Sequence, residues 1–213
     1  MADLDGNIVR LSEQQISQAG AMLTRAFCDD PKITHIFPER TARKMLSHYL
    51  FEFYLRYGMN YGDVYTTSPS VEGVAVWLPS VYSGVTIWRA FRSGGIGLYL
   101  HLGKKIVDSL LSFSTLIDMY HKKHAPFPHY RLLYLGVDPK NQGCGCAGRL
   151  IRPMLDWLDL QKMPCYLTTQ NEKNVSMYEH YGFMVVEQRT LPHSGIFHTV
   201  MLRHPKQAAP GRR

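Results

Sequence analysis

The spacing of apolar residues predicts a short strand and then a helix at the start of the chain. The strand covers residues 7–11, and Ser12 with Gln15 three positions later is the pattern of a helix N-terminus. Apolar residues within 16–27 then recur at the helical period, so that one face of this segment is apolar. The helix is predicted to end before Pro31, because a residue that precedes proline disfavours the α conformation.

The next apolar pattern predicts a second helix, a hairpin and an insertion. The helix covers 41–57, and strands over 63–67 and 71–78 are joined by a Ser-Pro-Ser turn. The segment 79–128 is rich in glycine and aromatic residues and contains one amphipathic helix, over 106–120. We expect this segment to be an insertion that covers the sheet.

The C-terminal part of the chain alternates strands and helices. A strand over 130–137 leads through a proline turn and a glycine-rich loop to a helix over 145–160. This order predicts a mixed α/β fold of the α+β kind, without an internal repeat at a period of roughly 20 to 50 residues. The remaining elements are a strand over 165–169, a helix over 174–181 and strands over 184–188 and 197–203.

Composition indicates one folded domain. The chain has 213 residues, 45% of them apolar and 12% aromatic, which is enough for a core without disulfide or metal staples. We predict a single domain over 1–202 and a solvated basic tail over 203–213. The formal charge is +7, but residues 1–202 hold 20 basic and 17 acidic side chains, so the surplus lies mostly in the tail. No nucleic-acid partner is expected.

The sequence predicts neither export nor a membrane span. The N-terminus lacks the apolar segment of a signal peptide, and no stretch reaches the roughly 20 apolar residues that a membrane helix needs. Two of the four cysteines, Cys144 and Cys146, lie one residue apart in a glycine-rich turn, which is poor spacing for a disulfide. We therefore expect a reduced protein in the cytoplasm.

Two patterns fit the glycine-rich loop, and both predict phosphate binding. Gly143, Gly145 and Gly148 satisfy the dinucleotide fingerprint G-x-G-x-x-G, but five residues separate the strand from the first glycine and no acid ends the next strand. The pattern Q/R-x-x-G-x-G/A fits better. Its small residues let backbone N–H groups approach a pyrophosphate at a helix N-terminus. It comprises Gln142, Gly143, Cys144, Gly145, Cys146 and Ala147.

Together with a second motif, this loop resembles the GCN5-related N-acetyltransferase (GNAT) superfamily. The second motif is NEKNVSMYEHYGF over 171–183, and the resemblance covers about residues 128–203. It implies the GNAT fold, which is a mostly antiparallel mixed sheet, splayed between the fourth and fifth strands, with helices on both faces.

Two upstream motifs are similar to the branch that contains puromycin N-acetyltransferase. They are Ala26-Phe27-x-x-Asp30-Pro31 and VAVWLP over 74–79, and CYLTT over 165–169 agrees with them. The chain departs from the pattern at Thr168, where relatives often carry glutamate. It also departs at Cys144 and Cys146, which replace the usual basic or aliphatic residues.

The resemblance implies acetyl-CoA as the donor, bound between the strands over 130–137 and 165–169. Its pantetheine arm would pair with the backbone of Leu135, Gly136 and Val137 in the manner of an added strand. Its pyrophosphate would lie on the loop from Gln142 to Gly148. Asn174 resembles the family residue that hydrogen-bonds the pantetheine arm, although it could also cap a helix.

Amide formation from a thioester requires a neutral amine, a polarised carbonyl and an acid for the departing thiolate. Tyr178 is the predicted general acid, because its spacing of four from Asn174 places both side chains on one helix face. A phenol with a pKa of about 10 is protonated at neutral pH and can supply that proton. The alternative is that Tyr178 only packs against the sheet.

The general base and the acceptor residues stay open. The strand over 130–137 has no acid, so the candidate bases are Tyr134, His129 through a water, and Asp30. Asp30 could instead attract a cationic acceptor or cap its own loop. Tyr134 and Trp77 are candidate walls of an aromatic acceptor pocket, and Thr168 is also assigned to the acceptor site.

Other constellations favour structural roles. The histidine pairs 121/124 and 193/198 lack a cysteine or acid that would complete a metal shell, so no metal site is predicted. Cys165 with His180 could form a nucleophile and base, but Cys165 opens an apolar strand and is better explained as a small buried hydrophobe.

We therefore predict an acetyl-CoA-dependent N-acetyltransferase that acetylates a primary amine of a small molecule by direct attack in a ternary complex. The branch resemblance favours an antibiotic-like or metabolite amine and a role in detoxification. The protein is expected to be a monomer or a homodimer. The alternatives are a peptide or protein N-acetyltransferase, a CoA-binding module without catalysis and a nicotinamide enzyme.

Overall fold

The computed structural model describes residues 8–192 and 194–206, and within these ranges seven strands form one sheet. The order across the sheet is β1-β2-β3-β4-β5-β7-β6, in which β4 and β5 are parallel and the other neighbours antiparallel. This arrangement confirms the predicted mixed, mostly antiparallel sheet. The strands are β1 (Val9–Arg10), β2 (Asp63–Thr66), β3 (Gly73–Pro79), β4 (Tyr130–Val137), β5 (Cys165–Thr169), β6 (Met184–Thr190) and β7 (Phe197–Arg203).

Seven α-helices accompany the sheet in the described part of the chain. None of them is both long enough and apolar enough to cross a bilayer. The helices are α1 (Ile16–Ala26), α2 (Pro31–Ile36), α3 (Arg40–Tyr61), α4 (Ile87–Arg92), α5 (Gly95–His124), α6 (Cys146–Leu160) and α7 (Val175–His180).

Helices α2 and α4 were not predicted, and α3 and α5 are longer than predicted; α5 spans Gly95–His124, with a break at Gly103, where the predicted helix covers 106–120. The short helix α2 was missed, because Asp30 and Pro31 were interpreted only as the end of α1. Asp30 Oδ1 instead accepts the N–H groups of Lys32 and Ile33 at 3.0 and 3.3 Å, and Pro31 occupies the first turn, so the pair starts a new helix. Helix α3 does not end at Gly58 but continues to Tyr61, before Gly62. Gly58 is therefore a packing position rather than a helix end, since a side chain there would collide with Val64 and Val76 of the sheet.

Alternate side chains of the sheet enter two cores, one on each face. On the first face α1, α3 and α5 pack over Val64 and Val76. On the second face α6 and α7 pack over Tyr65 and Trp77. The segment predicted as an insertion contributes α4 and α5, and Phe113 of α5 joins a further cluster against β5 and β7. Helices therefore cover both faces, as predicted.

The sheet splits between β4 and β5. The two strands pair only at Tyr130↔Cys165 and Arg131↔Tyr166, and then diverge. On the other side of β4, Val76 pairs with Tyr134 but Trp77 pairs with Leu132, so a bulge leaves the intervening residue of β4 without a partner. The bulge turns Tyr134 toward the first core, while Leu135 packs with the second. The predicted splay between the fourth and fifth strands is confirmed.

The end of β7 is fixed by a buried ion pair that the sequence analysis missed. Arg203, which we predicted as the first residue of the solvated tail, is 2% exposed and belongs to β7. Its Nη1 and Nη2 donate to the two carboxylate oxygens of Asp159 on α6 at 2.7 and 2.6 Å. The tail prediction is therefore wrong at Arg203, and residues 207–213 lie outside the described residues.

We expect Asp159→Ala to lower the free energy of unfolding by about 3 kcal/mol, because it leaves the Arg203 guanidinium buried and unpaired. Burial alone would raise the pKa of Asp159, but hydrogen bonds from Arg203 and the Lys206 N–H outweigh it, so the pKa is lowered. The stabilisation is therefore complete above the ordinary pKa of about 3.9 and is lost as the pH falls through the lower folded-state value.

Urea unfolding of both proteins at several pH values measures this effect. Asp108→Ala is the matched control, since Asp108 forms an exposed pair with Lys104 on α5 at 2.5 Å and its removal should matter far less. Equal losses in the two variants, or a pH-independent difference for Asp159→Ala, would contradict the assignment.

Candidate active site

A cleft of about 680 Å³ opens where β4 and β5 separate. Its walls are the second half of β4, the end of α1, the glycine loop before α6 and the start of α7. The volume lies within the range of about 300–1,000 Å³ that is usual for small-molecule sites. Every cofactor residue predicted from the sequence lines this cleft except Cys144, whose side chain is exposed.

The edge of β4 that faces the gap has free backbone groups. The N–H of Asp138 donates to Glu72 at 2.8 Å on the β3 side. Because alternate strand residues direct their N–H and C=O groups to opposite edges, Gly136 also faces β3, whereas Leu135 and Val137 face the gap. The backbone of Leu135 and the N–H of Val137 are therefore available to an extended ligand, whereas the Val137 carbonyl accepts the Gln142 side-chain N–H at 3.4 Å. Gly136 has a different role, since a side chain there would lie 2.6 Å from Leu23 of α1.

The loop before α6 is built as an anion cradle. Gly143 and Gly145 have φ angles of 81° and 75°, in the left-handed region that favours glycine, and no atom lies within 4 Å of where their Cβ atoms would be. None of the backbone N–H groups from Gly143 to Gly148 donates to a described residue. They lie at the positive end of the 15-residue helix α6. Such an end stabilises a phosphate group.

Two basic residues of this cleft were missed by the sequence analysis. Arg25 of α1 lines it and pairs with Asp138 at 2.5 Å, and Lys173 lines it beside Asn174. Lys173 lies inside the motif over 171–183, so its position in that motif was the available signal. Arg25 carried no such signal, because the topology alone brings α1 next to the glycine loop.

Tyr178 and Asn174 lie together at the junction of this cleft with a smaller cavity inside the gap. Burial raises the pKa of Tyr178 far above its usual value, and the nearby Asp30 carboxylate adds to the shift, so the hydroxyl keeps its proton at neutral pH. Asn174 makes no side-chain hydrogen bond to a described residue. Asn174 occupies the N-cap position of α7, but its side chain makes no capping hydrogen bond; Asn171 Oδ1 accepts the Lys173 N–H at 3.1 Å at the start of the preceding turn.

The inner cavity brings Asp30, Tyr134 and Thr168 together with Lys32, which the sequence analysis missed. Lys32 Nζ donates to the Tyr134 hydroxyl at 3.2 Å. Burial, with a smaller contribution from Asp30, raises the pKa of Tyr134 well above its usual value, so this residue is a poor base by itself. Burial lowers the pKa of Lys32.

Two predicted site residues lie elsewhere. His129 Nδ1 donates to the Phe127 carbonyl, and its Nε2 shares a hydrogen bond with His121 Nε2, each at 2.7 Å. It is 2% exposed and burial lowers its pKa, so a role through water has no support in this geometry. Trp77 is fully buried on the face opposite Tyr134, under α6, and the prediction that it lines the acceptor pocket is wrong.

Cys165 and the histidines outside the cleft have structural surroundings. Burial raises the pKa of the Cys165 thiol to about 12, which removes the nucleophilic thiolate at neutral pH. His124 pairs with Glu187. Within 8–192 and 194–206 no cluster of three histidine, cysteine or acidic side chains could hold a metal, and His193 lies outside these ranges.

A second pocket, of about 260 Å³, adjoins the inner cavity. We call it the aromatic pocket, because Phe53, Tyr54 and Tyr57 of α3 and Phe113 of α5 form its walls. The charged side chains that line it are Lys32, Asp118 and Arg131. Two of these, Lys32 and Arg131, also line the inner cavity, so the aromatic pocket leads to the same gap as the cleft.

Comparison with known proteins agrees with this architecture. An uncharacterized N-acetyltransferase of Schizosaccharomyces pombe is 25% identical over 206 residues, which cover 92% of this chain and 83% of the relative. No protein-family profile matches the chain.

Two solved structures show the same fold. One, from Corynebacterium glutamicum, is described as histone acetyltransferase HPA2 and related acetyltransferase; its TM-score is 0.70 at 17% identity, over 96% of this chain and 98% of that one. The other is arylalkylamine N-acetyltransferase 2 from Aedes aegypti, with a TM-score of 0.60 at 13% identity, over 93% and 98%. The chain therefore has the GNAT acetyltransferase fold.

We expect Gly145→Ala to weaken CoA binding at least tenfold. The added methyl group places a side chain at a φ of 75°, in the left-handed region, which strains the loop that positions the free N–H groups. Calorimetric titration with CoA measures the change. Gly84→Ala is the matched control, because Gly84 is exposed, has no atom near its would-be Cβ and should leave CoA affinity unaltered. Wild-type affinity in Gly145→Ala would show that the cradle does not hold the ligand.

Proposed function

We propose that this chain is an acetyl-CoA-dependent N-acetyltransferase that acetylates a primary amine of a small molecule by direct attack in a ternary complex. The observation that carries the proposal is the gap between β4 and β5. It combines an unpaired strand edge at Leu135 and Val137, an anion cradle from Gly143 to Gly148 and the protonated hydroxyl of Tyr178. The name of the fission-yeast relative supports the same acyltransferase activity.

The residues of the cleft fit the parts of acetyl-CoA one by one. The free N–H groups of the glycine loop would hold its pyrophosphate, with Lys173 and Arg25 as nearby positive charges. The backbone of Leu135 and Val137 would hold the pantetheine arm, with the Asn174 amide beside it. When bound, acetyl-CoA supplies an activated thioester carbonyl to the gap.

The chain's own groups then manage the protons. Tyr178 holds a proton at neutral pH and donates it to the sulfur of the departing thiolate. The amine must be neutral to attack, and the desolvated surroundings of Tyr134 and Lys32 disfavour its charged form. The amine nitrogen bonds to the carbonyl carbon as the C–S bond breaks, and the proton that it sheds passes to the Asp30 carboxylate, the candidate base that lines both the cleft and the inner cavity. Tyr134, hydrogen-bonded to Lys32, lines the inner cavity as well, which supports its proposed position beside the reacting atoms.

The aromatic pocket supports a small acceptor. It is enclosed by α3 and by the segment that contains α4 and α5, and it leads to the inner cavity past Lys32. An aromatic or aliphatic body fits such walls, and the mosquito relative is named for arylalkylamines. The branch that contains puromycin N-acetyltransferase, a detoxifying role, a cytoplasmic location and a monomeric or homodimeric state remain predictions from the sequence.

Tyr178→Phe tests the general acid. We expect kcat to fall by about a hundredfold, within the range that general acid catalysis contributes, while the Kd for CoA stays the same. Free thiol release measures kcat, and calorimetry measures the Kd. Tyr99→Phe is the matched control, since Tyr99 is exposed on α5 and its hydroxyl lies outside both pockets. An unchanged kcat would remove Tyr178 from the mechanism, and CoA binding without turnover of any amine would indicate a binding module.

Separate titrations with acetyl-CoA and NADH test the two interpretations of the glycine loop. We expect acetyl-CoA to bind and NADH not to bind, because five residues separate the end of β4 from the first glycine of the loop and an acid for a ribose is missing from β5. Binding of NADH without binding of acetyl-CoA would overturn the proposed function. A library of primary amines, with thiol release as the signal, then identifies the acceptors.

A further inference from the structure

Arg131 of β4 is buried without a hydrogen-bonded partner. It is 8% exposed, and its guanidinium donates no hydrogen bond to any described residue. The nearest carboxylate oxygen, on Asp118, lies 3.9 Å from Nη1, which is too far for a hydrogen bond. The guanidinium otherwise lies over the Tyr166 ring, 5.9 Å from its centroid. A largely buried guanidinium without a hydrogen-bonded protein partner is well placed to bind an acceptor from outside the chain.

Lys32 of α2 lies at the same place with equally few partners. It donates one hydrogen bond, to Tyr134, and its Nζ lies 5.3 to 5.8 Å from the ring centroids of Tyr134, Phe113 and Tyr54. Among the described residues no acid lies within ion-pair distance of Nζ. Asp30, the acid on its own segment, is engaged by the N-terminus of α2.

These two cations face the junction of the aromatic pocket and the inner cavity, which both side chains line. The titratable groups around them are Asp30 before α2, Tyr54 on α3, Asp118 and His121 on α5, His129 just before β4, Tyr134 on β4, Tyr166 on β5 and His198 on β7. Burial raises the pKa of Asp118, with Arg131 opposing the shift. Neither acid forms a hydrogen-bonded pair with Arg131 or Lys32. The junction therefore brings two basic side chains together with one acid at ion-pair distance, Asp118, and leaves the guanidinium without a hydrogen-bonded acceptor among the described residues.

We propose that the acetyl acceptor carries a carboxylate, which Arg131 and Lys32 bind at this junction. This inference rests on the proposed N-acetyltransferase function and names its substrate class, an amino acid with an apolar or aromatic body. An arginine binds a carboxylate through two parallel N–H donors, which gives both strength and orientation. The phosphates of CoA are accounted for at the other end of the gap by the glycine loop, so the carboxylate belongs to the acceptor.

The rest of the aromatic pocket fits the body of such a molecule. Its walls are mostly apolar and aromatic, formed by Phe53, Leu110 and Phe113 among others. Ser83, which also lines it, is 6% exposed and its hydroxyl has no partner among the described residues. An unpartnered buried hydroxyl is a second sign that a ligand completes this pocket.

Matched pairs of amines that differ only by the carboxylate test this proposal. The pairs are L-phenylalanine and 2-phenylethylamine, L-leucine and 3-methylbutylamine, and 5-aminopentanoate and butylamine. We expect the carboxylate-bearing member of at least one pair to have the higher kcat/KM, by about ten- to a hundredfold. This is the gain in binding that charge-assisted hydrogen bonds to a carboxylate typically give. Thiol release from acetyl-CoA is the measurement.

Arg131→Gln should reduce this preference to within a few-fold. The kcat/KM for the amino acid should fall, and the kcat/KM for the carboxylate-free amine should stay nearly the same. Lys32→Met should reduce it in the same direction and serves as a second variant if Arg131→Gln is unstable. CoA affinity and thermal unfolding show whether each variant is folded. Arg40→Gln, an exposed position at the start of α3, is the matched control and should keep the wild-type preference.

Three results would overturn the inference. The first is that in every pair the carboxylate-free member reacts as fast as its partner or faster. The second is an equal loss of kcat/KM for both members of a pair in folded Arg131→Gln. The third is turnover of other amines but of no member of any pair. Each of these leaves the N-acetyltransferase function intact. The absence of thiol release with any amine would instead contradict the proposed function itself.

Discussion

The early end of the pairing between β4 and β5 is the constraint on which the rest of the site depends. The two strands pair at Tyr130↔Cys165 and Arg131↔Tyr166 and then diverge, in the middle of a seven-stranded sheet. Unpaired backbone groups in a protein interior are costly, so such a gap is stable only where water or a ligand satisfies them. The bulge opposite Trp77 adds a second break on the other edge of β4 and turns Tyr134 to the first face.

Charge is distributed differently at the two ends of this gap. At the outer end the positive field comes from backbone N–H groups and from α6, which suits phosphate groups and needs few basic side chains. At the inner end it comes from two side chains, Lys32 and Arg131, in surroundings that disfavour charge. A ligand with a carboxylate would relieve both, and an amine held beside them would be favoured in its neutral, nucleophilic form.

The elements and the residues that line the cleft could largely be predicted from the sequence, because both depend on local patterns. The bounds of β4, β5 and β7 agree with the apolar pattern, and the loop before α6 carries its chemistry in consecutive residues. Asn174 and Tyr178 were found for the same reason, because residues four apart in a helix lie on the same face.

Residues that act through the tertiary fold could not be predicted in this way. Lys32 lies on a helix hidden by an Asp-Pro pair, and its neighbour Tyr134 is 102 positions away in the sequence. Trp77 was predicted as a candidate wall of the acceptor pocket on its aromatic character, but the continuous apolar run of β3 does not tell which face of the sheet each side chain joins. Arg203 looked like part of a basic tail until the structure paired it with Asp159.

Amide hydrogen exchange with and without acetyl-CoA tests the central claim most directly, since it reports on the backbone groups of the gap. The account predicts slower exchange at Leu135, Val137 and the N–H groups from Gly143 to Gly148 when acetyl-CoA is present, with no change in the β2–β3 hairpin. Unchanged exchange at these positions, or protection confined to another part of the chain, would contradict it.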